Sequence, residues 1–122
     1  MKHILPVLQE IRATKTTQEV AHIVRAQKIC EEILALCLKK LRIGITEKEV
    51  ATYIVTEMKK RGVKALAFSP IVSFGAGSAD IHHEPSKTKL KRGDLVMFDF
   101  GATWQGYCSD MTRTYVFGAQ PT

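Results

Sequence analysis

Cysteine is scarce in this 122-residue chain, which has three, an odd number that cannot pair completely. Long apolar runs are also missing, since no stretch approaches the roughly 18 apolar residues that a membrane-spanning helix needs. Near the amino terminus, Pro6, Gln9 and Glu10 interrupt the apolar residues before a signal-peptide core forms. These absences argue against a disulfide framework, a membrane partner and secretion. They predict a cytoplasmic protein.

Aromatic residues make up only 7% of the chain, whereas basic residues give it a net charge of +6. Clustered Lys and Arg can neutralise nucleic-acid phosphates. Here the clusters are short, at residues 59–64 and 87–92, and no aromatic side chains interleave with them to stack on bases. We therefore interpret them as solvated charge and expect no nucleic-acid partner.

Composition predicts one folded domain over residues 1–122, because 45% of the residues are hydrophobic and 25% are charged. Two capping boxes, Thr16 with Glu19 and Thr46 with Glu49, predict the starts of two amphipathic helices. The first has apolar residues at helical spacing from Val20 to Leu41, with Cys30 and Cys37 as core residues. Gly62 is expected to close the second helix.

After residue 65 the pattern changes from helix to strand. A glycine-rich loop is predicted at residues 75–78. Residues 95–101 are apolar on both strand faces except at Asp99, as in a strand covered on both sides. Residues 107–117 favour β structure and follow Gly106, so they are predicted to form the second strand of a hairpin.

The predicted hairpin brings two carboxylates together. If its turn is centred between Trp104 and Gln105, Asp99 lies directly opposite Asp110. Their Cβ atoms would be about 5 Å apart, and two like charges at that distance repel by about 3 kcal/mol at an effective dielectric of about 20. A buried carboxylate pair of this kind requires a compensating interaction.

Three compensations are open: a shared proton, a nearby cation or a bound metal ion. Arg113 is the nearest cation in sequence, but its odd offset from Asp110 sends it to the opposite strand face. A shared proton remains an alternative. A metal ion is favoured, because cross-strand carboxylate oxygens can converge on a hard divalent cation.

Four histidines are present, of which His3 and His22 are interpreted as surface or helix-flank residues. His82 and His83 follow the glycine-rich loop, from which one imidazole could reach the hairpin. Adjacent loop histidines are more often surface residues than functional ones. Spacing alone does not choose between the two.

Four motifs resemble the creatinase and aminopeptidase P family of pita-bread metallopeptidases: FSPIV at 68–72, IHH at 81–83, GDLVMFDFG at 93–101 and GYCSDMTRT at 106–114. The resemblance extends from Ile11 to Thr122, and the last motif favours the Xaa-Pro branch. It implies that Asp99 and Asp110 ligate a dinuclear site of manganese, cobalt or zinc with a bridging hydroxide. It also implies that His82 is catalytic and contacts the substrate, with His83 a neighbour without a core role.

In that family a histidine and two glutamates from a second, pseudo-symmetric half complete the metal site. We therefore expect an α+β half of a pita-bread fold, with two amphipathic helices on an antiparallel sheet. The implied function is hydrolysis of an amino-terminal peptide bond preceding proline, with the isolated half inactive or weakly active. The alternatives are a non-catalytic binding module and a half-domain that self-assembles as a homodimer or is completed by a second chain.

Overall fold

The protein is described by a computed structural model that covers residues 4–120 and has an α+β architecture. Three helices come first: α1 (Ile4–Ala13), α2 (Thr17–Lys40) and α3 (Glu47–Lys60). Short strands and one 3-10 helix (Gly75–Ala79) follow. The strands are β1 (Ala65–Leu66), β2 (Ile71–Phe74), β3 (Leu95–Phe100), β4 (Ala102–Trp104), β5 (Tyr107–Cys108) and β6 (Met111–Val116).

Both predicted capping boxes are present. The side chains of Thr16 and Thr46 accept hydrogen bonds from the amides of Glu19 and Glu49, whose carboxylates bind back to the cap amides. Helix α3, the second of the two predicted helices, ends beside Gly62, which has a φ of +79°. The prediction of two helices was incomplete, because α1 precedes them and has no buried residue.

Helix α2 buries the residues predicted from its spacing over most of its length. Cys30 and Cys37 are fully buried, as expected for core residues. Its first turns differ, since Val20 and Val24 remain 46% and 44% exposed. The predicted apolar face therefore begins to contribute to the core only from about Ala26.

The strands form two small antiparallel sheets where the sequence predicted one. One sheet has the order β2-β3-β6, and the other has the order β1-β4-β5. The predicted glycine-rich loop is instead the 3-10 helix that follows β2. The predicted hairpin thus divides at Gly101, with β3 and β6 in one sheet and β4 and β5 in the other.

Strand β3 is central to its sheet and is fully covered on one face only, so the prediction of a strand covered on both faces holds in part. One face packs against the helices through six buried side chains: Val72, Phe74, Val96, Phe98, Phe100 and Met111. Asp99 and Met97 lie on the other face by strand alternation. Met97 is only 9% exposed, whereas Leu95 at the strand's start is 45% exposed.

No helix within residues 4–120 is long and apolar enough to cross a membrane. His3 and His22 were predicted to be surface or helix-flank residues, and His3 lies outside the described residues. His22 lies in α2 and stacks on Tyr107 with ring centroids 5.7 Å apart.

Candidate metal centre

The two aspartates singled out by the sequence do not lie directly opposite each other. In the β3–β6 ladder Asp99 pairs with Thr112, and Phe100 pairs with Met111. The predicted register was therefore wrong by two residues.

The error arose from the placement of the turn. Trp104 pairs with Tyr107, so the loop has two residues, Gln105 and Gly106. Both have positive φ angles, of 50° and 83°, as a type I′ turn requires at both central positions. The turn is thus centred after Gln105, where glycine readily adopts the left-handed conformation.

A shift of two residues keeps each side chain on its original face of the sheet. Asp110 precedes Thr112 by two residues and is therefore the diagonal neighbour of Asp99 on the face away from the helices. Arg113 lies opposite Phe98, on the other face, as the odd offset predicted. Asp99 and Asp110 are thus brought together on the face opposite to that of Arg113.

Asp99 is held in an environment that disfavours its charge. Burial raises the pKa of Asp99, the Thr112 hydroxyl lowers it in part, and the carboxylate of Asp110 raises it further. Its Oδ1 atom is buried and has no protein hydrogen-bond partner among the described residues. Asp110 is exposed. A buried orphan acceptor beside a second carboxylate fits a hard divalent cation, which binds oxygen ligands.

The backbone that carries Asp110 passes unusually close to Gly101. A Cβ atom at position 101 would lie 1.9 Å from the carbonyl oxygen of Ser109, so only glycine fits there. Ser109 is buried and its Oγ accepts a hydrogen bond from the amide of Ala102 at 3.1 Å. The same hydroxyl lies 3.3 Å from the sulfur of Cys30 on α2. These contacts fix the strand segment immediately before Asp110.

The tip of the hairpin is also anchored to α2. The hydroxyl of Tyr107 donates a hydrogen bond of 2.7 Å to Glu19, the residue that completes the first capping box. One carboxylate therefore links the start of α2 to the hairpin that carries Asp110.

His82 lies in the segment between the 3-10 helix and β3, and its side chain is exposed. Its amide donates to the carboxylate of Asp80 at 2.9 Å. His83 has a contact that the sequence did not predict: its Nε2 lies 2.9 Å from Oε2 of Glu47, which is fully buried. Glu47 was not recognised from the sequence, where it was only part of the second capping-box motif.

The structure does not assemble a complete metal site from these residues. Within residues 4–120, no group of three or more His, Cys, Asp or Glu side chains is close enough to hold one metal ion. His82 is therefore not gathered with Asp99 and Asp110 into a ligand cluster. The two aspartates form at most part of a coordination sphere.

The sequence profile of metallopeptidase family M24 matches residues 21–122. The chain belongs to metallopeptidase family M24. This family is metal-dependent, and the α+β arrangement described above matches part of its pita-bread fold.

Individual relatives agree. An uncharacterized peptidase of Staphylococcus haemolyticus is 38% identical over 111 residues, covering 91% of this chain and 32% of that protein. The X-Pro aminopeptidase of Thermotoga maritima superposes with a TM-score of 0.86 at 34% identity over 96% of this chain and 33% of its own. The prolidase of Pyrococcus horikoshii superposes with a TM-score of 0.89 at 34% identity, over 95% of this chain and 33% of its own. The M24 chain thus spans about a third of the length of these relatives.

Proposed function

We propose that Asp99 and Asp110 are ligands of a dinuclear divalent metal site in a peptidase that hydrolyses amino-terminal Xaa-Pro bonds. The observation that carries this proposal is the buried Oδ1 of Asp99, which has no partner within residues 4–120 and lies beside a second carboxylate. Such a pair is repulsive when both groups are ionised, and a cation between them removes that repulsion as a shared proton would. Manganese, cobalt and zinc all accept carboxylate oxygens.

The relatives support this substrate class, since two of the solved structures are an X-Pro aminopeptidase and a prolidase. Bound metal would supply activation of water at neutral pH and polarisation of the scissile carbonyl. Asp99 and Asp110 would hold that centre from one side. His82, exposed on its loop, would donate a hydrogen bond to the substrate and stabilise charge that develops during hydrolysis.

The remaining metal ligands come from outside residues 4–120, because two carboxylates do not complete a coordination sphere. We infer that a second copy of this chain can supply them, as in the homodimer proposed from the sequence. On its own the monomer would bind metal weakly and hydrolyse Xaa-Pro substrates slowly, since catalysis requires a complete and well-ordered site.

Isothermal titration of the chain with Mn²⁺ or Zn²⁺ tests the ligand assignment. Asp99→Asn and Asp110→Asn are expected to lower the affinity by at least tenfold each. Glu31→Gln, which removes one carboxylate from the exposed face of α2, is the matched control and should bind like the wild type. Equal affinity in all four proteins would show that the two aspartates are not ligands.

A further inference from the structure

Glu47 is the most completely buried charged residue of the described chain, with no exposed surface. A carboxylate is tolerated in such a position only when hydrogen bonds satisfy its oxygens. Its Oε1 accepts from the amide of Phe74 at 2.8 Å. Its Oε2 accepts from the amide and hydroxyl of Ser86, at 2.8 and 2.7 Å, and lies 2.9 Å from His83 Nε2.

Two of these partners lie at the two ends of one segment of the chain. Phe74 is the last residue of β2, and Ser86 follows the segment 75–85, which contains the 3-10 helix and His82. One buried side chain therefore binds both ends of this segment. Backbone bonds reinforce its later end, where Lys48 and Glu47 donate their amides to the carbonyls of Ser86 and Thr88.

His83 adds a third attachment in the middle of the segment. Its ring lies against the 3-10 helix, where a Cβ atom at Gly77 would be 3.1 Å from its Cε1 atom. The His83 amide also donates to the carbonyl of Asp80 at 3.2 Å, next to the Asp80–His82 bond already described. The imidazole of His83 is thus packed between Gly77 and Glu47. The ring of the neighbouring residue, His82, is exposed.

The hydrogen bonds to Glu47 also favour its ionised form. Burial alone raises the pKa of Glu47, but the bonds from His83 and Ser86 outweigh that effect, and the pKa lies below its usual value. Glu47 therefore remains a charged acceptor at neutral pH, and its partners are held by charge-assisted hydrogen bonds.

We propose that Glu47 is a positioning residue that, acting with His83, fixes the segment 75–85 and thereby the placement of His82 relative to the Asp99 face of the sheet. The contacts of Glu47 are enough to support the anchoring of the segment. The effect of this anchoring on catalysis rests on the role proposed above for His82. The two adjacent histidines then have different tasks, one attached to the fold and the other presented to solvent.

Amide hydrogen exchange tests the anchoring without any metal. In Glu47→Gln, which has one acceptor oxygen where the native residue has two, exchange at residues 75–86 should accelerate at least tenfold. Exchange in the middle of α2 should change less than twofold. Glu57→Gln is the matched control, because Glu57 is also a nearly buried glutamate of α3 but binds Lys60 and Arg61.

A second variant guards against global unfolding of Glu47→Gln. His83→Ala leaves in place the hydrogen bonds that Glu47 accepts from Phe74 and Ser86, and it should accelerate exchange severalfold around residues 77–83. Unchanged exchange in this segment in His83→Ala and in any folded Glu47→Gln protein would overturn the proposal.

Paramagnetic broadening by Mn²⁺ in NMR spectra then tests the link to His82. In the wild type, Mn²⁺ should broaden the amide of Thr112, which marks the aspartate face, and the Hε1 proton of His82. Glu47→Gln should reduce the broadening at His82 severalfold and leave that at Thr112 unchanged. Equal broadening of His82 in both proteins would refute its positioning by Glu47.

The outcomes distinguish this inference from the proposed function. Absence of broadening at Thr112 in the wild type would contradict metal binding by the aspartates, while hydrogen exchange would still decide the anchoring. Broadening at Thr112 without broadening at His82 would contradict the catalytic placement of His82.

Discussion

Gly101 and the Ser109 carbonyl are in such close contact that a Cβ atom at position 101 would lie 1.9 Å from the oxygen. This contact occurs where the hairpin passes from one sheet to the other, two residues after Asp99 and immediately before Asp110. The spacing of the two carboxylates therefore depends on a position that lacks a side chain.

Gly101→Ala should destabilise the protein by about 3 kcal/mol or more, because a side chain there displaces backbone in a packed region. Urea denaturation measures the loss. Gly93→Ala is the control: Gly93 has a φ of +88° but open space around its Cα, so that variant incurs only the conformational cost of about 1 kcal/mol. Equal losses in the two variants would show that the contact with Ser109 is unimportant.

Compared with the wild type, the Asp99→Asn protein should be equally or more stable without metal and less stable with metal. In chelator the substitution removes a repulsive charge whose ionisation is disfavoured, so the melting temperature should stay equal or rise. With Mn²⁺ at about 100 times its Kd, the wild type should gain about 2.7 kcal/mol by linkage, and the variant should gain much less. Differential scanning calorimetry in the two buffers checks both signs. A similar gain in the variant would argue that Asp99 does not bind the ion.

The second-chain proposal predicts that divalent metal promotes homodimers. Two copies joined at the Asp99 face would bring four carboxylates together, an arrangement that repels itself unless cations are bound. On that face Leu95 is 45% exposed and would contribute apolar surface to the contact, whereas Met97 is buried within the chain.

Light scattering with Mn²⁺ and with chelator, on the wild type and on Asp110→Asn, measures this assembly. We expect metal-dependent dimers of the wild type alone. A stable monomer at every metal concentration would exclude the homodimer.

Glu47→Gln should show a pH-dependent loss of stability. The folded pKa of Glu47 is lowered, while the unfolded pKa is near the ordinary value of about 4.3. Its contribution is therefore fully present above the unfolded pKa and is lost as the pH falls through the folded pKa.

The wild type should exceed the variant by about 1.5–3 kcal/mol at pH 7, the usual range for hydrogen bonds to a charged group. Urea denaturation between pH 3 and pH 7 should show this difference shrinking below about pH 4. A difference that is constant across the range would mean that the charge of Glu47 is not what stabilises the fold.

The cysteines should differ in reactivity. Burial raises the pKa of Cys37 to about 12 and also raises the pKa of Cys30, whereas Cys108 is exposed. At pH 8 on the order of one in ten thousand Cys37 thiols is ionised, and the thiolate is the reactive form. Mass spectrometry after brief iodoacetamide treatment should show one adduct on the native protein and three in denaturant. Rapid native labelling of Cys37 would contradict its place in the core.

The local features of this protein were readable from its sequence. The helix starts at Thr16 and Thr46 depend on side chains that bind amides three residues away, so the pattern contains both partners. The apolar run around Asp99 likewise predicted a strand covered on both faces, and one of the two faces is fully buried. The motifs around Asp99 and Asp110 were sufficient for the correct family.

Tertiary structure decided what depended on register and on distant partners. The sequence contained Gln105 and Gly106 but did not show that both adopt positive φ, and that choice moved the partner of Asp99 from Asp110 to Thr112. Glu47 looked like a first-turn helix residue, whereas its hydrogen-bond partners lie 27 to 39 positions along the chain. Such pairs become neighbours only when the helices pack on the sheet, because contacts of that separation leave no periodic pattern in the sequence.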